Sequence, residues 1–266
     1  MDTGTPFMLA TVDDGIGWIV YNNPEKHNAM TADMLAAVSR ISAAYEADPA
    51  VRVVVLRGAG AKAFISGADI KQLDSGEISG PGNTPDDAKM AENSGTSGLA
   101  AITKPMIAMI NGWCLGGGVM VALTADIRIA SDTAQFGIPA AKLGVGYPYH
   151  AIEQLVALCG PGQASEILFS GRRFDAAEAS RIGLVNRVVA GADLEATVRA
   201  LAADIAANAP LSHVSSKRSI HAAARGGEPV NRAAINAAIA AAWASDDCNE
   251  GKRAFLERRP PRFVGT

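Results

Sequence analysis

Three consecutive glycines, Gly116-Gly117-Gly118, follow Asn111-Gly112-Trp113-Cys114-Leu115 and precede the apolar run Val119 to Leu123. No other stretch limits the fold so tightly. Glycine inside an element costs about 1 kcal/mol against alanine. Three in succession are expected where backbone passes close to something, or where bare N–H groups must face a ligand. The apolar run reads as a helix, and the buried-looking run Pro105 to Ile110 feeds the segment from before. The first N–H groups of a helix lack partners within it, and the helix dipole makes that end positive. A glycine-lined helix start can therefore hold a developing oxyanion. Tight packing of a helix on a strand is the alternative that the glycines alone leave open.

At 266 residues the chain has room for one large α/β domain, or for a domain plus a small appendage. Its net charge of −3 gives no basic signal for nucleic acid. Cys114, Cys159 and Cys248 fit neither zinc spacing nor a disulfide framework. They point to a reducing compartment. Met1 to Ala10 lacks the basic-then-apolar order of a secretory signal. No apolar run approaches the roughly 18 residues of a membrane span. The expected setting is the cytoplasm, with no nucleic-acid or membrane partner.

Phe7 to Val12 and Ile16 to Tyr21 flank Asp13-Asp14-Gly15 and predict a hairpin. Thr31 can cap a helix with Met34, Val38, Ile41 and Tyr45 on one face, stopped at Asp48-Pro49. Val51 to Leu56 reads as a strand buried on both faces, as in a parallel sheet. Ser75 to Pro85 reads as a surface loop and Asp86 to Ile102 as a helix. Ile127 to Ala130 and Leu184 to Val189 are further strands. His150 to Cys159 is a helix stopped by Gly160-Pro161-Gly162. Asp175 to Glu178 resembles a capping box. From Asp193 the pattern is helix after helix, broken at Asn208-Ala209-Pro210, Gly226-Gly227 and Ser245-Asp246. Asp247 to Glu250 would cap a last helix that ends before Pro260-Pro261. Residues 1–192 thus form an expected α/β core and 193–266 a helical region.

No Gly-Lys-Ser/Thr follows the glycines, so they are not a P-loop, and they lack the Rossmann spacing. The Gly-x-Ser-x-Gly elbow is absent. His27, His150, His213 and His221 form no metal-ligand pattern, and the last two read as helix-surface residues. What remains is a pair of backbone sites, the turn Ser66-Gly67-Ala68-Asp69 and the stretch Leu115 to Gly118. One N–H from each could converge on a single carbonyl oxygen. Asp69 also reads as the cap of the short helix that follows it.

These motifs resemble the crotonase, or enoyl-CoA hydratase/isomerase, superfamily. The resemblance runs from Asn23-Pro24 and Asn28-Ala29-Met30 through Phe64 to Ile70, Lys104-Pro105 and Asn111 to Gly118. It continues through Ala125-Asp126, Gln135-Phe136-Gly137, Leu143-Gly144-Val145 and Gly183 to Asn186, and reaches Ala254 to Arg259. It implies a spiral of ββα units with a C-terminal helical trimerisation region, assembled as a homotrimer or a dimer of trimers. It also implies acyl-CoA thioester substrates, no metal, and no cofactor beyond the coenzyme A that the substrate carries. The thioester oxygen would sit between the N–H groups of Ala68 and Gly117. The CoA portion would lie along Lys26, His27 and Ala29 and along Ser66, Ala68, Asp69 and Ile70. Phe255 and Arg258 would approach its adenine end from a neighbouring subunit; core packing and a solvated face are the plain alternatives.

The family's hydratases add water with two glutamates, in Gly-Gly-x-Glu and Phe-Gly-x-Pro-Glu patterns. This chain has Met120 and Ala140 at those positions. Neither side chain moves a proton, and general acid–base help is typically worth roughly 10²–10⁴-fold. The family's isomerases often rely on the second glutamate, so Ala140 weakens that reading too. The segment Leu143 to His150 resembles the corresponding region of the family's methylmalonyl-CoA decarboxylases, whose tyrosine aligns with Tyr147. Those enzymes carry a histidine where this chain has Ala68, so the match is partial. The expected activity is stabilisation of a thioester enolate, with Tyr147 as proton donor and Met120 and Ala140 lining the acyl pocket. Met90, Leu73 and Trp113 are further candidates for that lining. A hydratase or isomerase with Glu153 or His150 as replacement acid or base is the second reading. A non-catalytic acyl-CoA-binding protein is the third.

Overall fold

The computed structural model describes residues 1–78, 96–224 and 231–266. Residues 79–95 of the loop expected at 75–85 and the helix expected at 86–102, Met90 among them, and the Gly226-Gly227 break lie outside them, while Ser97–Ala100 is helical. The chain opens with the predicted hairpin, β1 (Met8–Asp13) antiparallel to β2 (Ile16–Tyr21). Asp14 and Gly15 both have positive φ, 48° and 80°. That is what a two-residue turn matching the strand twist requires. Thr31 caps the helix Ala32–Ala47 by accepting from Met34 N, and Met34, Val38, Ile41 and Tyr45 are buried on its inner face.

Three times in succession the chain runs a strand through one sheet, a shorter strand through a second sheet, and then a helix. The first unit is β3 (Val53–Gly58), β4 (Ala63–Ile65) and the helix Ile70–Ser75. The second is β5 (Met106–Ile110), β6 (Trp113–Leu115) and the helix Gly117–Thr124. The third is β7 (Ile127–Ser131), β8 (Gln135–Gly137) and the helix Ala140–Leu143. With β9 (Arg173–Asp175) and β10 (Arg187–Val189), the sheets have the orders β1-β2-β3-β5-β7-β10 and β4-β6-β8-β9. Neighbours are parallel except β1 with β2 and β8 with β9. This is the ββα spiral that the resemblance implied.

The central strands are buried on both faces. Val54, Leu56, Met106, Ala108 and Ala130 join the main core, whereas Val53, Val55, Ile107, Met109 and Ile129 face a second cluster. That second cluster is closed by Leu194, Val198 and Ala202 of the helix Leu194–Ala206. The boundary expected at 192 therefore parts this helix from the sheet it covers. Only the helices Pro210–Ala224, Arg232–Ala244 and Asp246–Glu257 follow as a region poor in buried residues.

Some elements differ from expectation. The helix starting at Tyr149 does break at Gly160, as expected, where φ 75° and ψ 162° are non-helical, but a second helix follows at once and runs to Ser170 with Pro161 at its start. Proline suits the first turn of the resumed segment, where an N–H would lack a partner anyway. Only Arg187–Val189 of the Leu184 to Val189 run pairs as strand. Asp175 accepts from Glu178 N as a cap, but Glu178 binds Arg172 instead of closing the box. The last helix begins at Asp246 and is capped by Ser245, whose Oγ accepts from Cys248 N. Asp247 and Glu250, expected as caps, instead fasten the C-terminal tail through Val264 N, Gly265 N and Arg262 N.

Candidate active site

Two loops, 23–30 and 66–69, are laced together. Ser66 N donates to His27 O (3.1 Å), Met30 N to Gly67 O (2.8 Å) and Asp69 N to Met30 O (2.8 Å). Asn28 makes this course possible. Wholly buried at φ 56°, it donates from Nδ2 to Ala59 O and Ala63 O and accepts from Asn23 N. Lys26 Nζ reaches Asp69 Oδ2 at 2.8 Å. That hydrogen bond, helped by the Lys71 N–H, holds the Asp69 carboxyl below its ordinary range. Asp69 caps its own helix through Lys71 N, as expected. Lys26, His27, Ala29, Ser66, Ala68, Asp69 and Ile70 are thereby gathered on adjoining loops, with Ile70 65% exposed.

The glycine stretch abuts this turn. Gly116 has φ 50° and ψ −114°, a conformation suited to glycine, and it swings the chain from β6 into the helix Gly117–Thr124. A Cβ on Gly118 would stand 2.1 Å from Ile65 O, so only glycine fits at this approach. A Cβ on Gly117 would stand 3.8 Å from Ala68 N and 2.3 Å from Met30 Cε. Gly117 thus adjoins the Ala68 turn, and among the described residues neither the Ala68 nor the Gly117 N–H donates a hydrogen bond. Pro139 approaches the Gly116 position to 4.0 Å, bringing Ile138-Pro139-Ala140 to the same place. Two adjacent free amides, one at a helix start, can share a single acceptor oxygen.

The family model for enoyl-CoA hydratase/isomerase matches residues 11–266. The chain belongs to this family. A protein named probable enoyl-CoA hydratase from Mycobacterium bovis is 35% identical, with 97% of each chain covered. A short-chain-enoyl-CoA hydratase from Clostridium acetobutylicum is 34% identical, with 91% of each covered. The crystal structure of an enoyl-CoA hydratase/carnithine racemase from Magnetospirillum magneticum superposes with a TM-score of 0.88. It is 34% identical, and the match covers 97% of this chain and 96% of that one.

Within this enoyl-CoA hydratase/isomerase fold, Met120 and Ala140 are each 8% exposed. Met120 lies in the first turn of the glycine-led helix and Ala140 follows Pro139. Tyr147 Oη donates to Gly116 O at 3.0 Å. In this arrangement its one proton is directed at main chain. Burial pushes the phenol above its usual range, against a smaller opposing effect of the Met120 N–H. Cys114, wholly buried, is likewise pushed up by desolvation and is no candidate nucleophile.

The other expected residues have these surroundings. Glu153 lines a separate cavity of about 400 Å³ with Leu123, Thr124, Asp126, Lys217 and His221. That cavity is at the far end of an eight-residue helix, about 12 Å from the glycines at 1.5 Å per residue. His221 and Lys217 both pair there with Asp126, so His221 is more than a surface residue. His213 lines the same cavity, its Nε2 3.1 Å from Ile205 O. His150 Nε2 stands 3.2 Å from Thr96 Oγ1. Trp113 lies under the Arg173 guanidinium, 4.6 Å from its ring centroid, and Leu73 is 38% exposed. Phe255 is 84% exposed, which removes core packing as its explanation. Among the described residues no hydrogen bond or ion pair ties Phe255 or Arg258 to the Lys26–Ile70 loops. Met30 falls within the Asn28-Ala29-Met30 motif, which by itself marks no role for it. Its backbone pairing on both sides of Ala68 becomes visible only once the two loops are seen side by side.

Proposed function

We propose that this protein binds acyl-CoA thioesters and stabilises a thioester enolate, without working as a two-glutamate hydratase. One observation carries the reading. Ala68 and Gly117, whose amides donate no hydrogen bond among the described residues, adjoin, and positions 120 and 140, the resemblance's two glutamate positions, are a buried methionine and alanine. Decarboxylation of an α-carboxyacyl thioester suits such a site. The bond from Cα to the carboxylate breaks, carbon dioxide leaves, and the electron pair forms the enolate whose oxygen the two amides receive. A proton from solvent then restores the saturated thioester. No base is needed to start this sequence, and an apolar wall of Met120 and Ala140 disfavours the substrate's charged carboxylate relative to neutral carbon dioxide.

Coenzyme A enters as part of the substrate, along Lys26, His27, Ala29, Ser66, Asp69 and Ile70. A homotrimer or dimer of trimers belongs to the same proposal. It is supported by the exposed Phe255, Leu256 and Trp243 of the last helices, and sedimentation as a monomer would remove it. A second reading, hydration or isomerisation with a replacement group, is favoured by the names of the relatives. His150 is then the better candidate, because Glu153 lies in the other cavity.

Malonyl-CoA and methylmalonyl-CoA incubated with the protein should release carbon dioxide and yield acetyl-CoA and propionyl-CoA. Release no faster than without protein, for both substrates, would remove decarboxylation from the proposal.

A further inference from the structure

In a trans peptide the C=O and N–H share one plane and point in opposite directions. The Gly116 carbonyl and the Gly117 N–H are the two ends of one such unit, and Tyr147 Oη grips the carbonyl end at 3.0 Å. Val119 N (3.0 Å) and Met120 N (3.3 Å) donate to the same oxygen. The second unit is built alike. The Gly67 carbonyl accepts from Met30 N at 2.8 Å, and the other end of that peptide is the Ala68 N–H. Both amides facing the site are thus held from behind through their carbonyls. One anchor is main chain and cannot be removed by substitution; the other includes a phenol and can.

We infer that Tyr147 is a positioning residue that fixes the plane of the Gly116–Gly117 peptide and strengthens the Gly117 N–H as a donor. The inference rests on the reading that the Ala68 and Gly117 amides receive the thioester oxygen. Hydrogen bonds in a chain polarise one another, so a donor on the carbonyl draws charge through the amide and leaves the N–H more positive. Gly116 makes the anchor necessary. At φ 50° it lacks the steric limits that would fix the next peptide's tilt in another residue. A phenol whose proton is committed to a carbonyl is badly placed to deliver it to carbon. Its raised pKa agrees with a neutral, permanent donor.

The test uses acetyl-CoA isotopically labelled at the thioester carbonyl and reads the infrared downshift of that carbonyl on binding to the full-length protein. The native protein should show a downshift, and Tyr147→Phe should bind within about threefold of native affinity. Its downshift should be smaller by about 10–30%, the range for cooperative strengthening per bond. Tyrosine fluorinated beside the hydroxyl, placed at 147, is a stronger donor of nearly the same size and should enlarge the downshift. If the native protein binds without any downshift, the oxyanion reading itself fails. A native downshift left unchanged in Tyr147→Phe overturns the positioning role, and lost turnover beside it would return Tyr147 to proton donation. If the phenylalanine variant does not fold, the fluorinated protein decides alone. A downshift equal to native overturns the inference.

Discussion

Met120 and Ala140 decide more about this site than any charged residue near it. Each stands at a buried position close to the glycine turn. A methionine and an alanine neither take nor give a proton, so a reaction that needs water split across a double bond lacks its usual agents. Restoring them is a direct check. Met120→Glu with Ala140→Glu should raise crotonyl-CoA hydration above the native rate by at least about 100-fold, the low end of what acid–base groups typically contribute. An unchanged rate in a folded double variant would mean that the missing carboxylates are not what limits hydration. The residue scale was also where the sequence was most readable. The roles of Gly116 and Gly118 follow from local sterics, and Asp69 as a cap follows from its position. The direction of the Tyr147 hydroxyl did not follow, because a side chain's rotamer is set by what packs around it.

Among the elements, the decisive joint is between the loop ending at Met30 and the turn at Ala68. Neither is regular structure, so no hydrophobic period marks their pairing. Asp69 ties the joint twice, to Lys26 and to its own helix. The exposed Lys26 adds little in water, whereas loss of a cap costs about 1 kcal/mol. The folded-state pKa of Asp69 lies below its unfolded value. Its ionic contribution is therefore complete above the unfolded pKa of about 4 and disappears as pH falls through the folded pKa. Asp69→Ala should lower stability at about pH 7 by about 1 kcal/mol in urea unfolding. It should also show a weaker acid dependence than the native protein below about pH 4. Parallel stability–pH curves for the two would contradict this account of the joint.

For the whole molecule, the sequence revealed the long strands and hid the short ones. The large sheet was legible because β3, β5 and β7 are apolar runs of five or six residues bounded by breakers. The strands β6, β8 and β9 have three residues each, too few to display an alternation. Yet the small sheet they form with β4 sets the Ala68 turn beside the glycine helix. The cavity around Asp126 was equally hidden, since it joins residues about ninety positions apart. Among the described residues no helix is long and apolar enough to cross a membrane.

The central claim is that a site built from two backbone amides survives here without the hydratase carboxylates. Its most direct test follows the ultraviolet absorbance of the conjugated thioester in crotonyl-CoA, beside a binding titration with acetyl-CoA. Saturable acetyl-CoA binding with no enzyme-dependent loss of crotonyl-CoA absorbance is the predicted result. Rapid loss of that absorbance would contradict it, because another group would then be performing the work assigned to the absent glutamates.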